Sequence, residues 1–214
     1  VTNDLGGALL YFGIFLAMLY VATARVWFVL AGAVLFVGGA AAVYTVIPRV
    51  QERVEIWLDP WGDPFGRGYQ AIQSLYSIAN GGFGGTGLGQ GTYTDSDGHR
   101  LIPSLNTDFI YSALAQELGL VGICGFLLVY MLFAARGFRI ALLAQDGFSK
   151  LLAVGLTFAF TLQAFLIIGG IIRLVPLTGI TLPLVSYGGS SIVANFVLLA
   201  LLLLVSNRAN KALK

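Results

Sequence analysis

The chain has 214 residues, of which 57% are hydrophobic and 10% charged, and its formal net charge is +2. Soluble domains carry about 25% charged residues, so a water-soluble globule is excluded, and so small a positive balance offers no footing for nucleic acid. The single cysteine, Cys124, excludes a disulfide within the chain.

A bilayer-spanning helix needs about 20 mostly apolar residues, and stretches of that kind occur at 5–23, 26–47, 109–135, 151–172 and 182–206. The sequence therefore predicts an all-α polytopic membrane protein with about five transmembrane helices, forming a single membrane domain over 1–214. Asp4 stands directly before the first span, Val1 opens the chain, and no charged leader with a cleavage site precedes the span. This reads as a segment of a longer protein. Between the spans, Arg25, Arg136, Arg139, Lys150, Arg208, Lys211 and Lys214 fall on one side with only Asp146 against them. The other side mixes Arg49, Arg53, Arg67, Arg100 and Arg173 with Asp4, Glu52, Glu55, Asp59, Asp63, Asp95, Asp97 and Asp108. The basic side is cytoplasmic by the positive-inside rule, which turns the long loop 48–108 outward.

That loop is too rich in aromatics to be a solvated tail: Trp57, Trp61, Phe65, Tyr69, Tyr76 and Phe83 favour an ordered segment lying against the membrane. Asp59-Pro60 and Asp63-Pro64 mark turns. Over 69–79, Tyr69, Ile72, Tyr76 and Ala79 share one helical face, while Gln70, Gln73, Ser74 and Ser77 gather on the other. This spacing predicts a short interfacial or re-entrant helix with its polar face turned to a cavity. The run 80–91 is dense in glycine. Gly82, Gly84 and Gly87 fit G-x-G-x-x-G, but no strand or βαβ unit surrounds them, so a dinucleotide site is rejected. The glycines read either as a flexible loop or as backbone that approaches a ligand or membrane closely. Residues 92–100 read as an exposed tip, with His99 a solvated residue.

Ahead of the third span, Pro103-Ser104-Leu105-Asn106-Thr107-Asp108 carries a carboxylate to the edge of an apolar helix. A charge in that place marks a functional site by default, yet Asp and Thr also cap helix N-termini; spacing leaves both readings open. In the last span Pro183, Gly188 and Gly189 predict a broken helix start, tolerated at membrane depth where protein buries it or a wet cavity adjoins it. Ser186, Tyr187, Ser190 and Ser191 bring hydroxyls to that break, where small residues also serve helix packing.

These blocks together resemble the SEDS family, the RodA/FtsW group of peptidoglycan polymerases. The likeness is carried by Asn3-Asp4-Leu5-Gly6-Gly7, Leu58-Asp59-Pro60-Trp61, Gly68-Tyr69-Gln70 through Leu75, Thr107-Asp108-Phe109 with Glu117-Leu118-Gly119, and the run from Thr181 to Ser191. Trp57-Leu58-Asp59-Pro60 and Asn106 lean toward a RodA-like member. Ser104 and Asn106 stand where the family usually has Glu and His, which removes any proton-relay role from those two positions.

The resemblance implies the later spans of a protein of about ten, inactive alone because part of the substrate cavity belongs to the other spans. It implies an inverting glycosyltransferase of the bacterial plasma membrane that polymerises lipid II on the outer face. Asp108 would be the general base for the acceptor hydroxyl, with Thr107 beside it. Gln70 and Gln73 would hold sugar hydroxyls, helped by Ser186 and Tyr187. Arg67, Arg100 or Arg173, or a divalent cation such as Mg or Mn, would meet the diphosphate. A class B penicillin-binding protein, which crosslinks the strand, is the implied partner. The rival readings are a lipid II flippase and a non-catalytic scaffold for elongation or division.

Overall fold

The computed structural model describes residues 5–94 and 97–212; Asn3, Asp4, Asp95 and Lys214 lie outside the described residues. In chain order the elements are α1 (Leu5–Thr23), α2 (Val26–Val46), α3 (Pro48–Leu58), one 3₁₀ turn (Pro60–Gly62), α4 (Tyr69–Gly81), α5 (Ile110–Leu143), α6 (Gly147–Ile171) and α7 (Gly189–Ala212). Among the described residues, extended pairing is limited to one bridge, Thr94 to Arg100. Helices α1, α2, α5, α6 and α7 are each long and apolar enough to cross a membrane. Each crossing reverses side, so α3, α4, the α5 entrance and the α6–α7 connection share one end of the bundle.

Packing follows from small residues, because lipid offers helices no hydrophobic drive to associate. Helix α6 sits between α1 and α5. A Cβ on Gly13 of α1 would stand 2.6 Å from Leu162, and one on Gly137 of α5 would run into Thr157. The larger apolar core lies at the loop end. Ile102, Leu105 and Phe109 meet Ile167, Ile168 and Ile171 of α6 and Leu182 there.

Three features depart from the sequence expectation. First, 48–58 is a helix. Pro48 ends α2, holding Ile47 extended, and then occupies the first turn of α3, where its missing N–H costs nothing. Second, the last span starts at Gly189 rather than 182, because 182–188 is irregular; the predicted break is there, and it precedes the helix. Third, α4 forms as expected but buries part of its polar face. Ser74 and Ser77 are buried, whereas Tyr76 is half exposed and meets Trp61 edge-on at 5.9 Å. Those serines lie on a helix packed on α5 and do not face an open cavity.

The glycine-rich run has an occupant that the sequence did not reveal. Helix α5 breaks at Gly119, whose φ of 65° and ψ of −172° are not helical. The break frees backbone groups, and unpaired groups at membrane depth are costly. The N–H groups of Thr86 and Gly87 donate to the carbonyls of Gln116 and Glu117, and those of Leu120 and Val121 donate to Gly82 and Phe83. The glycines therefore approach the backbone of α5. Tyr93 fastens the next stretch: its hydroxyl lies 2.8 Å from the Glu117 carboxylate, which accepts from it. Burial and that carboxylate push the Tyr93 hydroxyl well above the usual tyrosine range.

Candidate active site

Asp108 sits in a tight turn just before α5. The backbone N–H groups of Thr107, Asp108 and Phe109 all point at the Ser104 carbonyl, at 3.1–3.2 Å. The N-cap of α5 is Phe109, without a side-chain cap, so the capping alternative for Asp108 is not what the structure contains. Its carboxyl is half-buried and titrates above the ordinary aspartate value. Burial is the main cause, opposed by the Thr107 hydroxyl and then by the positive charge of Arg53. The Thr107 hydroxyl also lies 3.2 Å from the Ser104 carbonyl; its one proton serves either acceptor.

The irregular segment before α7 fixes this turn. The Ser186 hydroxyl donates to the Thr107 carbonyl at 2.6 Å and accepts from the Leu182 N–H at 2.8 Å. The Tyr187 N–H donates to the Asn106 carbonyl at 2.9 Å. The segment is itself anchored on three sides. Tyr130 of α5 donates to the Pro183 carbonyl at 2.6 Å, Gln163 of α6 donates to the Thr181 carbonyl at 2.7 Å, and the Thr181 and Ser191 hydroxyls share a bond of 2.6 Å. Ser186 is buried with donor and acceptor both engaged, so it positions the Asp108 turn. The Tyr187 ring is exposed.

The cation beside Asp108 is Arg53, which sequence reasoning missed. Helix α3 presents Val50, Arg53, Val54 and Trp57 as one stripe. Arg53 Nη1 donates to the Thr178 carbonyl at 3.1 Å, and its Nη2 and Asp108 Oδ2 lie 3.6 and 3.9 Å from where a Cβ on Gly179 would stand. Arg173, with φ of 63°, holds α3 in place. Its guanidinium donates to the carbonyls of Trp57 and Leu58 at 2.8–3.2 Å, and the Trp57 indole N–H returns a bond to the Arg173 carbonyl at 2.9 Å. Arg67 pairs with Glu55 at 3.3 Å and Asp63 at 3.6 Å on the exposed loop. Of the expected cations, then, Arg67 and Arg173 are engaged elsewhere. Gln70 and Gln73 are half-buried on α4, with no side-chain hydrogen bond among the described residues. No group of three or more His, Cys, Asp or Glu side chains that could hold a metal occurs among the described residues.

From Arg53 an apolar groove of about 770 Å³ runs between α1, α2 and α3, within the range of small-molecule sites. Leu9, Phe12, Phe36, Val43 and Val54 line it, and Arg53 and Thr178 lie on its wall. The apolar groove thus reaches Arg53, and the carboxylate of raised pKa, Asp108, lies with that guanidinium beside Gly179.

These features define a multi-pass α-helical membrane protein with a half-buried carboxyl at one end of its bundle. The chain belongs to the FtsW/RodA/SpoVE family of cell cycle proteins, whose model it matches over residues 1–211. It is 46% identical to the peptidoglycan glycosyltransferase RodA of Mycobacterium tuberculosis (strain ATCC 25618 / H37Rv), over 99% of this chain and 44% of that protein. It is 39% identical to the stage V sporulation protein E of Bacillus subtilis (strain 168), over 95% of this chain and 51% of that one. The chain thus spans about half the length of these relatives. A solved structure described as the structural coordination of polymerization and crosslinking by a peptidoglycan synthase complex matches with a TM-score of 0.76 and 32% identity. It covers 97% of this chain and 56% of the other.

Proposed function

We propose that the protein containing this chain polymerises glycan strands from lipid II, transferring the lipid-linked glycosyl chain to an acceptor sugar hydroxyl with inversion. The observation that carries this reading is the convergence of Asp108, Arg53 and the apolar groove. The groove suits a polyprenyl tail, and the charge of Arg53 on its wall suits the diphosphate that the tail carries. Asp108 takes the proton of the acceptor 4-hydroxyl as that oxygen attacks the anomeric carbon of the donor. The anomeric C–O bond to the diphosphate breaks, and its electron pair departs with the polyprenyl diphosphate. General-base catalysis contributes typically 10²–10⁴ in rate, and a raised pKa makes the carboxylate a better base. The guanidinium answers the charge that develops on the leaving group. Because diphosphate leaves readily, no second carboxyl is required of the kind a glycosidase uses to protonate its leaving alcohol. The excess of basic residues at the far ends of the spans supports an outward-facing site. A transpeptidase of the class B penicillin-binding type is the proposed partner, since the similar solved complex couples polymerization to crosslinking.

The broken helix α5 and the groove also suit lipid II translocation. Reconstitution of the full-length protein with purified lipid II separates the two readings. A polymerase yields glycan strands with one polyprenyl diphosphate released per linkage. Lipid transfer between leaflets without any strand overturns the proposal.

A further inference from the structure

Gly179 is exposed, and its φ is +71°. A Cβ built on it would lie 3.6 Å from Arg53 Nη2 and 3.9 Å from Asp108 Oδ2, with nothing else beyond its chain neighbours within 4 Å. A side chain at 179 would therefore start in van der Waals contact with both the guanidinium and the carboxylate. Those two groups do not pair: they stand more than 4.0 Å apart, and their separation cannot exceed the sum of the two Cβ distances. Their separation thus lies between 4.0 and 7.5 Å, and over the part of that range up to about 5.6 Å one oxygen sits at about 2.8 Å from each group. The two walls select its chemistry. A phosphate oxygen would meet the carboxylate with like charge, whereas a hydroxyl accepts from the guanidinium and donates to the carboxylate.

From this we infer that the gap over Gly179 is the seat of the acceptor sugar hydroxyl, and that glycine is required at 179 because any side chain would occupy that seat. The inference rests on the polymerase reading and assigns a place within it. A hydroxyl held there has its proton on Asp108, while Arg53 polarises its oxygen toward the alkoxide. The guanidinium N–H groups not given to Thr178 or to this hydroxyl remain for the diphosphate.

The test uses Gly179→Ala and Gly179→Asn in the full-length protein. Backbone strain and occupation of the gap predict opposite orders. Asn adopts positive φ more readily than Ala, so strain alone makes Ala the worse change. Occupation makes Asn the worse, with polymerisation falling on the order of a hundredfold and a smaller loss for Ala. For both variants the acceptor KM should rise while binding of the lipid-linked donor is unchanged. A second readout needs no substrate: labelling of the Asp108 carboxyl by a water-soluble carbodiimide and an amine, followed by peptide mass spectrometry. Labelling should fall in the same order, Asn below Ala below wild type. An Asn variant more active than Ala, or Asp108 labelling equal in all three, overturns the inference. If labelling falls as expected while wild type makes no glycan, the gap is supported and the polymerase reading is what fails.

Discussion

Replacing Gly119 by alanine tests whether the glycine-rich loop and the break in α5 form one unit. The φ/ψ pair of Gly119, 65° and −172°, lies in a region essentially closed to side chains, and occupying it costs about 1–3 kcal/mol. A Cβ would also stand 2.7 Å from the Gly84 carbonyl carbon and 2.8 Å from the Phe83 oxygen. Both atoms are backbone, so relief requires the loop to withdraw. Four backbone hydrogen bonds cross the junction, between Thr86, Gly87, Gly82 and Phe83 on one side and Gln116, Glu117, Leu120 and Val121 on the other. At about 1 kcal/mol net for each bond, losing half of them together with the strain amounts to roughly 3–5 kcal/mol. That raises the open population by roughly 10²–10³-fold or more. Phe83 and Leu88 are exposed on this loop, so chymotrypsin cleavage there reports opening directly. The variant should be cut faster by a comparable factor under conditions where cleavage is slow relative to reclosing. Cleavage within about threefold of wild type would refute the account of the junction.

Ser186→Ala removes the donor to the Thr107 carbonyl and the acceptor of the Leu182 N–H. Unsatisfied buried groups cost about 1–3 kcal/mol, so melting temperature and kcat should fall while substrate KM holds; a KM change alone would make Ser186 a substrate ligand instead. Arg53→Gln removes a charge that favours ionised Asp108. The acid limb of the rate profile should therefore move to higher pH, because the base works ionised and its pKa rises further; a shift to lower pH contradicts the pairing. Arg67→Ala, which breaks only exposed ion pairs worth about 0–1 kcal/mol, should leave stability and synthesis near wild type, and a large loss of synthesis would return Arg67 to the site.

The spans were legible because apolar length alone decides them, and α1 and α2 fall almost where the sequence put them. Asp108 was legible as a candidate because a charge at an apolar boundary is expensive wherever it occurs. Helix α3 was not: eleven residues opening on proline and carrying Arg49, Glu52, Arg53 and Glu55 look like a loop. Its amphipathic stripe, Val50, Arg53, Val54 and Trp57, was the signal available. Choosing among the outer arginines was beyond sequence, since what separates them is tertiary. Arg67 is neutralised by acids close in the chain, Arg173 is consumed by carbonyls far from it, and Arg53 is the charge that acts on the Asp108 carboxyl. The glycine run read either as a flexible loop or as backbone approaching a ligand or membrane, whereas its partner lies some thirty residues on, in a helix whose break leaves little mark beyond Gly119. Ser186 and Tyr187 were found through their hydroxyls, yet one acts by locking a turn and the other holds that turn through its backbone.

The most direct measurement is glycan synthesis from lipid II by the full-length protein carrying Asp108→Asn, beside wild type, with donor binding and thermal unfolding followed on the same preparations. Loss of the general base should lower the rate by about 10²–10⁴ with donor binding retained. The melting temperature at neutral pH should be equal or higher, because burial works against the ionised carboxyl. Synthesis within a few-fold of wild type would contradict the account.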